Sequence, residues 1–416
     1  MEMIMKITGV IMECNPFHKG HRYFLEQARA VTGCDRLIAV MSGDYVQRGE
    51  PAILPKEIRA RALLEHGADL VLELPLYYAC GGAEYFARGA VTLLDRLGAV
   101  TDLCFGSECG STEEILRAAQ TLHESEQDPV WPDLLLQYQR RGMSFPAARE
   151  AALRQLTGRN PVLRTSNDLL AAEYIRTLLA AGSSMTPHAI PRTDARSATD
   201  LRQMLLAVRP DPDDLQKGLP YPPLPSPEEL PAVTRRLLET EPRPVPLGPD
   251  HFSQALFRAL LGAAGSLTDY VDVTPDLADR IEGLLPAFAG YSAFTDLVRT
   301  RNLTRTRVSR CLLHILLEIR KDRLQAYAGA GTVGYARVLG FCRTAGPLLK
   351  HLGETASLPL LTRPARDRRH LSPLWQQMLE EEVRAALLYD MTAALSAGRT
   401  GNAPLPVEYE KPLRIL

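Results

Sequence analysis

Ile7-Thr8-Gly9-Val10-Ile11-Met12-Glu13-Cys14-Asn15-Pro16-Phe17-His18-Lys19-Gly20-His21-Arg22-Tyr23 is the stretch whose reading decides the fold. Ile7 to Met12 is a short apolar run, the pattern of a buried strand. Asn15-Pro16 breaks it with a common loop dipeptide. After His18 and His21, the apolar residues Phe24, Leu25, Ala28 and Val31 recur at the spacing of one helical face. Both histidines are therefore expected where a strand hands over to a helix N-terminus. Unpaired backbone N–H groups make such a terminus attractive to anions. Gly20 lets the backbone approach a phosphate, and His18 and His21 add donors aimed at the same space.

Asn-Pro-Phe-His-x-Gly-His directly after a first strand resembles the His-x-Gly-His signature of the nucleotidyltransferase superfamily. The bland alternative is an ordinary strand-loop-helix turn with two surface histidines. The chain downstream fits the resemblance. Arg36 to Met41, Asp69 to Pro75 and Asp102 to Phe105 read as further buried strands. Helices are expected from about Lys56 to His66, after Gly81-Gly82, and after the cap-like Ser111-Thr112-Glu113-Glu114. This alternation predicts an α/β fold with a doubly wound parallel sheet, whose ligands sit beyond the strand C-termini. A weaker strand is expected near His188-Ala189-Ile190.

The 416 residues are long for one core, so more than one domain is expected. Arg209 to Pro249 is rich in proline and reads as a linker. The expected division is a catalytic domain at 1–208, a linker at 209–249 and a mainly helical domain at 250–416. The formal net charge is -1, so any nucleic-acid surface must be local. Val298 to Arg323 is the most basic run. Arg299, Arg301, Arg305, Arg307 and Arg310 are its candidate RNA contacts, although Leu312, Leu313, Leu316 and Ile319 must pack inward. A second cluster holds Arg363, Arg366, Arg368, Arg369 and His370, and the stretch Arg140 to Thr165 reads as a basic helical face. Seven cysteines form no Cys-x-x-Cys pair and suggest neither a zinc site nor a thiol-disulfide motif. No secretory signal or membrane span is apparent, so a cytoplasmic protein is expected.

A larger set of motifs resembles one family, the bacterial tRNA(Met) cytidine acetate ligases. They are the Asn15-to-His21 loop, Val40-Met41-Ser42-Gly43 with Gln47-Arg48-Gly49-Glu50-Pro51-Ala52, Glu73-Leu74-Pro75, Phe86-Ala87-Arg88-Gly89-Ala90-Val91, Phe105-Gly106-Ser107-Glu108, Ser166-Asn167-Asp168 and Ser197-Ala198-Thr199-x-x-Arg202. The resemblance implies that ATP adenylates acetate, releasing pyrophosphate. The acetyl group then passes to N4 of the wobble cytidine of elongator tRNA(Met), releasing AMP. It implies nucleotide contacts at Ile11, Met12, Glu13, Cys14, Asn15, Pro16, Phe17, His18, Lys19, Gly20, His21, Arg22, Tyr23 and Phe24, and at Gly106, Asn167 and Arg192. Ser197 and Thr199 join this set from the late Ser/Thr-rich segment. His18, His21, Arg192 and Arg202 are the expected catalytic donors around the phosphate oxygens, with Mg2+ bridging the phosphates. Cys14 departs from the aromatic residue expected before Asn15, and reads as a small loop residue rather than a thioester carrier. No obligate protein partner is implied. A small-molecule adenylyltransferase and a non-catalytic RNA-binding protein are the competing readings.

Overall fold

The computed structural model describes residues 5–141, 143, 145–158, 165–192, 198–209, 211, 213–214, 222–225, 228–240, 244–398, 408–411 and 413–416. Its centre is β1 (Ile7–Met12), parallel to β2 (Arg36–Ser42) on one side. Two further strands, numbered β3 (Tyr45–Val46) and β4 (Glu50–Pro51), form a small antiparallel hairpin. β5 (Leu70–Leu74) continues the sheet parallel to β2. On the other side of β1 lie β6 (Asp102–Ser107) and then β7 (Thr186–Pro191), both parallel. The strands Ile7–Met12, Leu70–Leu74 and the core of β2 are buried on both faces, as near-continuous apolar runs require. The direction of winding reverses between β1 and β6. A crevice therefore opens beyond their C-terminal ends, where doubly wound sheets bind ligands.

The first helix, Lys19–Thr32, starts at His18 and ends at Gly33 in the left-handed conformation, φ 61°. Its inward face differs by one position from the expected one. Val31 is 54% exposed, whereas Thr32 is buried and its hydroxyl bonds Thr8 and the Ala28 carbonyl. Ile58, Ala62 and Leu63 have the spacing of an inward face on helix Lys56–Glu65; Ala62 and Leu63 are buried and Ile58 half-buried, but Lys56 and Arg59 are buried as well.

Residues 250–416 are mainly helical, yet they also complete the sheet. β8 (Ala336–Phe341) runs antiparallel to β5. β9 (Leu360–Leu361) and β10 (Arg414–Ile415) pair with β8 along its outer edge. The expected boundary is thus crossed by hydrogen bonds of one continuous sheet. The proline-rich stretch departs from a free linker where it is described. It holds a helix, Ala232–Glu239, with Leu237 and Leu238 buried, and a buried run Pro244–Gly248 whose Leu247 amide donates to the Ile53 carbonyl at 3.1 Å.

A buried ionic cluster fastens the late elements to the early ones. The Lys56 ammonium lies 2.9 Å from Glu73 and 3.4 Å from Asp44, and also pairs with Glu408. Arg337 on β8 meets Glu73 across the sheet at 3.1 Å, and Glu408 as well. Lys411 closes the set against Glu408 at 2.7 Å and Asp390 at 2.8 Å. Beside it, burial and the negative charge of Glu73 push the Glu382 carboxyl well above the usual carboxylate range. Burial would raise Glu408, but Lys56, Arg337 and Lys411 hold it well below the usual carboxylate range. Its stabilising contribution is therefore present above the ordinary carboxylate value and lost on acidification through its depressed one. Glu408→Gln should lower unfolding stability by about 3–5 kcal/mol at pH 7, because it removes the carboxylate that Lys56, Arg337 and Lys411 share in the interior. Urea unfolding checks this, and the difference from wild type should shrink in the acid range. Equal midpoints at pH 7 would contradict the role.

Candidate active site

The two histidines cap their helix reciprocally. The Gly20 amide donates to His18 Nδ1 at 3.0 Å, and the His18 amide donates to His21 Nδ1 at 3.2 Å. The rings lie 3.9 Å apart between centroids and 33° from parallel. An amide N–H can donate only to a ring nitrogen that carries no proton. Each neutral ring must therefore hold its proton on Nε2. Burial, then the nearby charges of Arg192 and Arg202, pull His18 down to about 4. Burial, then His18 and Arg192, hold His21 well below its ordinary value. Two neutral Nε2–H donors result.

The expectation of free helix-terminal amides is corrected here. The Lys19 amide donates to the Glu229 carbonyl at 2.9 Å, the Gly20 amide to His18 Nδ1, and the His21 amide to the His18 carbonyl at 2.9 Å. Donors toward a phosphate must then come from side chains, His18 and His21 first among them.

The loop before the histidines is tied down on every side. Asn15 Oδ1 accepts from the Ile53 amide at 2.7 Å, and the Asn15 carbonyl accepts from Arg202 at 2.9 Å. Arg202 also donates to Thr199 Oγ1 at 3.1 Å, which ties the late Ser/Thr segment to the guanidinium that meets the histidine loop. Ser197 lies outside the described residues. The buried Arg59 guanidinium donates to four carbonyls, Leu54 (3.0 Å), Glu13 (2.8 Å), Ser42 (3.1 Å) and Gly43, which pins together the ends of β1 and β2. Arg59 carries no motif of its own, and sequence reasoning missed it. Phe17 is buried against His21 and His66, with ring centroids 5.6 and 4.9 Å away. Ile11, Tyr23 and Phe24 are half-buried, Met12 and Pro16 are buried, and Lys19 and Arg22 are exposed. Arg22 pairs with Glu26 along the helix at 2.7 Å.

Across the crevice, Glu108 organises a second wall. Its carboxylate accepts from the Asn167 amide group and from Thr165 Oγ1 at 2.8 Å, and lies 3.5 Å from Arg192. Gly106 brings the backbone beneath the Arg192 side chain. Burial alone would raise Asp168. Hydrogen bonds from Ser107, Thr165 and the Cys109 and Glu108 amides take it below its ordinary value, which fixes the turn that presents Glu108. Glu108 appears in the family-like motif, but nothing in the sequence assigns it this role.

Among the described residues, no three His, Cys, Asp or Glu side chains converge on a metal site. No step below passes through a metal ion. Cys14 is fully buried, with its thiol pushed up by burial above all, so it is not poised as a thiolate.

The basic run divides. Arg305 lies 3.3 Å from both Glu50 and Asp296, and Arg310 lies 3.9 Å from Asp272. Arg299 and Arg301 are exposed and Arg307 is half-buried. Leu312, Leu313, Leu316 and Ile319 pack inward as their spacing predicts. In the region Arg140 to Thr165, Arg149 is drawn inward to Glu173 (2.6 Å) and Glu126 (3.5 Å).

A parallel sheet that winds both ways from its first strand, with a capped His-x-Gly-His turn at the crevice, defines a nucleotidyltransferase of this signature class. The sequence model of the family described as HIGH Nucleotidyl Transferase matches residues 5–402, and the chain belongs to that family. Within it, the chain is 34% identical over 404 residues to the tRNA(Met) cytidine acetate ligase of Thermoanaerobacter sp. (strain X514), covering 93% of this chain and 95% of that one. It is 34% identical over 381 residues to the ligase of the same name from Clostridium tetani (strain Massachusetts / E88), covering 86% and 90%. The crystal structure of Thermotoga maritima TmcAL bound with alpha-thio ATP superposes with a TM-score of 0.87 at 29% identity, covering 99% of this chain and 100% of that one. The chain is a member of the tRNA(Met) cytidine acetate ligase family.

Two outcomes follow. The depressed histidines should leave adenylation without a histidine inflection between pH 5.5 and 7.5, the range in which an ordinary imidazole, value 6.5, would titrate. Activity should fall only toward about 4, as His18 protonates. An inflection near 6.5 that vanishes in His18→Asn or His21→Asn would contradict the neutral pair. Cys14→Ala should retain both half-reactions within a few-fold, and loss of acetyl transfer alone would revive a thioester.

Proposed function

We propose that this protein activates acetate with ATP and transfers the acetyl group to N4 of the wobble cytidine of elongator tRNA(Met). In the first step an acetate oxygen attacks the α-phosphorus, and pyrophosphate leaves. In the second, the cytidine amine attacks the acetyl carbonyl of the adenylate, AMP leaves, and the nitrogen loses a proton. The observation that carries this reading is the reciprocal cap, which leaves two neutral Nε2–H groups side by side at the crevice. Such donors stabilise charge that grows on phosphate oxygens without taking on net charge themselves.

Arg202, bound to the Asn15 carbonyl, and Arg192, held near Glu108, bring cationic groups from the other wall. Asn167 and Gly106 complete the nucleotide contacts on that side, and Thr199 stands with Arg202. The basic run supplies the RNA surface. Arg299, Arg301 and Arg307 face phosphates, while Arg305 and Arg310 mainly hold their helix to acidic neighbours. Any Mg2+ arrives with the triphosphate. No helix among the described residues is long and apolar enough to cross a membrane, and the proposed site of action is the cytoplasm, where tRNA is.

Acetate-dependent ATP–pyrophosphate exchange and acetylation of tRNA(Met) test the reading. Exchange that needs acetate, and transfer that needs tRNA(Met), are expected. Exchange with a different acid, or adenylyl transfer to a small molecule, would replace it. His21→Ala should lose roughly 100-fold or more in adenylation, a typical loss for one transition-state donor. Near-wild-type pyrophosphate release by that variant would remove His21 from its role.

A further inference from the structure

The small hairpin of β3 and β4 lies between the nucleotide loop and the basic helix Arg305–Leu316, and is gripped by both. On one side the Gln47 amide donates to Glu13 Oε1 at 2.6 Å. On the other, the Gly49 carbonyl accepts from Ser309 Oγ at 2.8 Å, and Glu50 meets Arg305 at 3.3 Å. Gly49 sits at φ 77°, and a Cβ there would lie 2.3 Å from the Arg310 amide nitrogen. The hairpin tip therefore rests directly on the helix backbone, and only glycine fits this contact.

Between these two grips stands Arg48. It is exposed, while Gly49 is buried and Gln47 and Glu50 are half-buried. It makes no ion pair with a described carboxylate. Its charge nevertheless reaches the Glu13 carboxyl and Arg202 at the histidine loop. Arg48 thus stands on the element that joins the basic helix, where Gly49 rests, to the histidine loop, where Glu13 holds the Gln47 amide.

Building on the function proposed above, we infer that Arg48 is a positioning residue for the RNA substrate, binding a backbone phosphate beside the target cytidine and guiding that nucleotide from the basic helix into the crevice. An acetate role fits less well. A pocket that selects a small acid must enclose it, and Arg48 is exposed. Because its guanidinium has no hydrogen-bond or ion-pair partner among the described residues, replacing it leaves the hairpin's hydrogen bonds in place.

Arg48→Ala and Arg48→Lys test this in the full-length enzyme, with tRNA(Met) as the RNA. In Arg48→Ala the KM for tRNA should rise roughly tenfold, the loss expected for one charged phosphate contact. The slope of log KM against log salt should fall by about 0.7, one single-strand phosphate contact. Acetate-dependent exchange without tRNA should keep its wild-type rate and KM for acetate, and Arg48→Lys should recover most of the tRNA effect. Unchanged KM and salt slope would overturn the inference. So would a raised KM for acetate, which would assign Arg48 to the acid, or equal losses in both half-reactions, which would make it structural. Failure of the functional reading is separate, since it would appear in the wild-type enzyme as absent acetate-dependent exchange.

Discussion

The molecule depends on one reciprocal hydrogen-bond pair, in which His18 and His21 each accept a backbone amide through Nδ1. That pair does three things at once. It starts the first helix, it selects the Nε2–H tautomer of both rings, and it occupies amides that a bare helix terminus would offer to an anion. Much of the surrounding structure keeps it in place. Arg59 ties the ends of β1 and β2 through carbonyls rather than carboxylates, so a guanidinium is buried without an acidic partner competing for the phosphate site. Asn15 fixes the loop to Ile53, and Arg202 fixes it to the late Ser/Thr segment.

Coupling between the two halves of the chain is built from the same strand ends. The β3–β4 hairpin leaves the C-terminus of β2 and lands on the basic helix, so the nucleotide loop and the proposed RNA surface share one short element. Lys56, at the start of the next helix, anchors Glu408 from the end of the chain. A buried cluster of this kind adds little net stability over apolar packing, but breaking it is costly. It therefore fixes which late elements meet which early ones. The adenylation site cannot shift relative to the helical half without separating these charges.

The parallel core was legible because its strands are apolar runs buried on both faces, and a period of that kind survives in the sequence. β7, with His188 and Pro191 in a mostly half-exposed strand, carried a weaker signal. β8 went unassigned as a strand, since its six residues pair with β5 from more than 250 positions away and its buried Arg337 finds its partners, Glu73 and Glu408, only in three dimensions. Burial of Lys56 and Arg59 was invisible for the same reason, as each looks like a surface position until its partners are placed. Proline content suggested a linker at Arg209 to Pro249, but a proline-rich strand of chain packed on Ile53 has the same composition. At the site, the histidines, Arg202 and Asn167 could be named from motif and resemblance. The arrangement among them could not. Glu108 as a shared acceptor, the capture of the Lys19 amide by Glu229, and the seating of Gly49 on Arg310 are facts of three-dimensional contact.

The most direct test of this account is the protonation state of the two rings. Long-range 1H–15N correlation spectra of histidine-labelled protein, assigned with His18→Asn and His21→Asn, separate the Nδ1–H and Nε2–H tautomers from imidazolium. At pH 7 both rings should be neutral with the proton on Nε2. An imidazolium, or a proton on Nδ1 of either ring, would mean that the reciprocal cap does not exist as described and that the phosphate donors must be sought elsewhere.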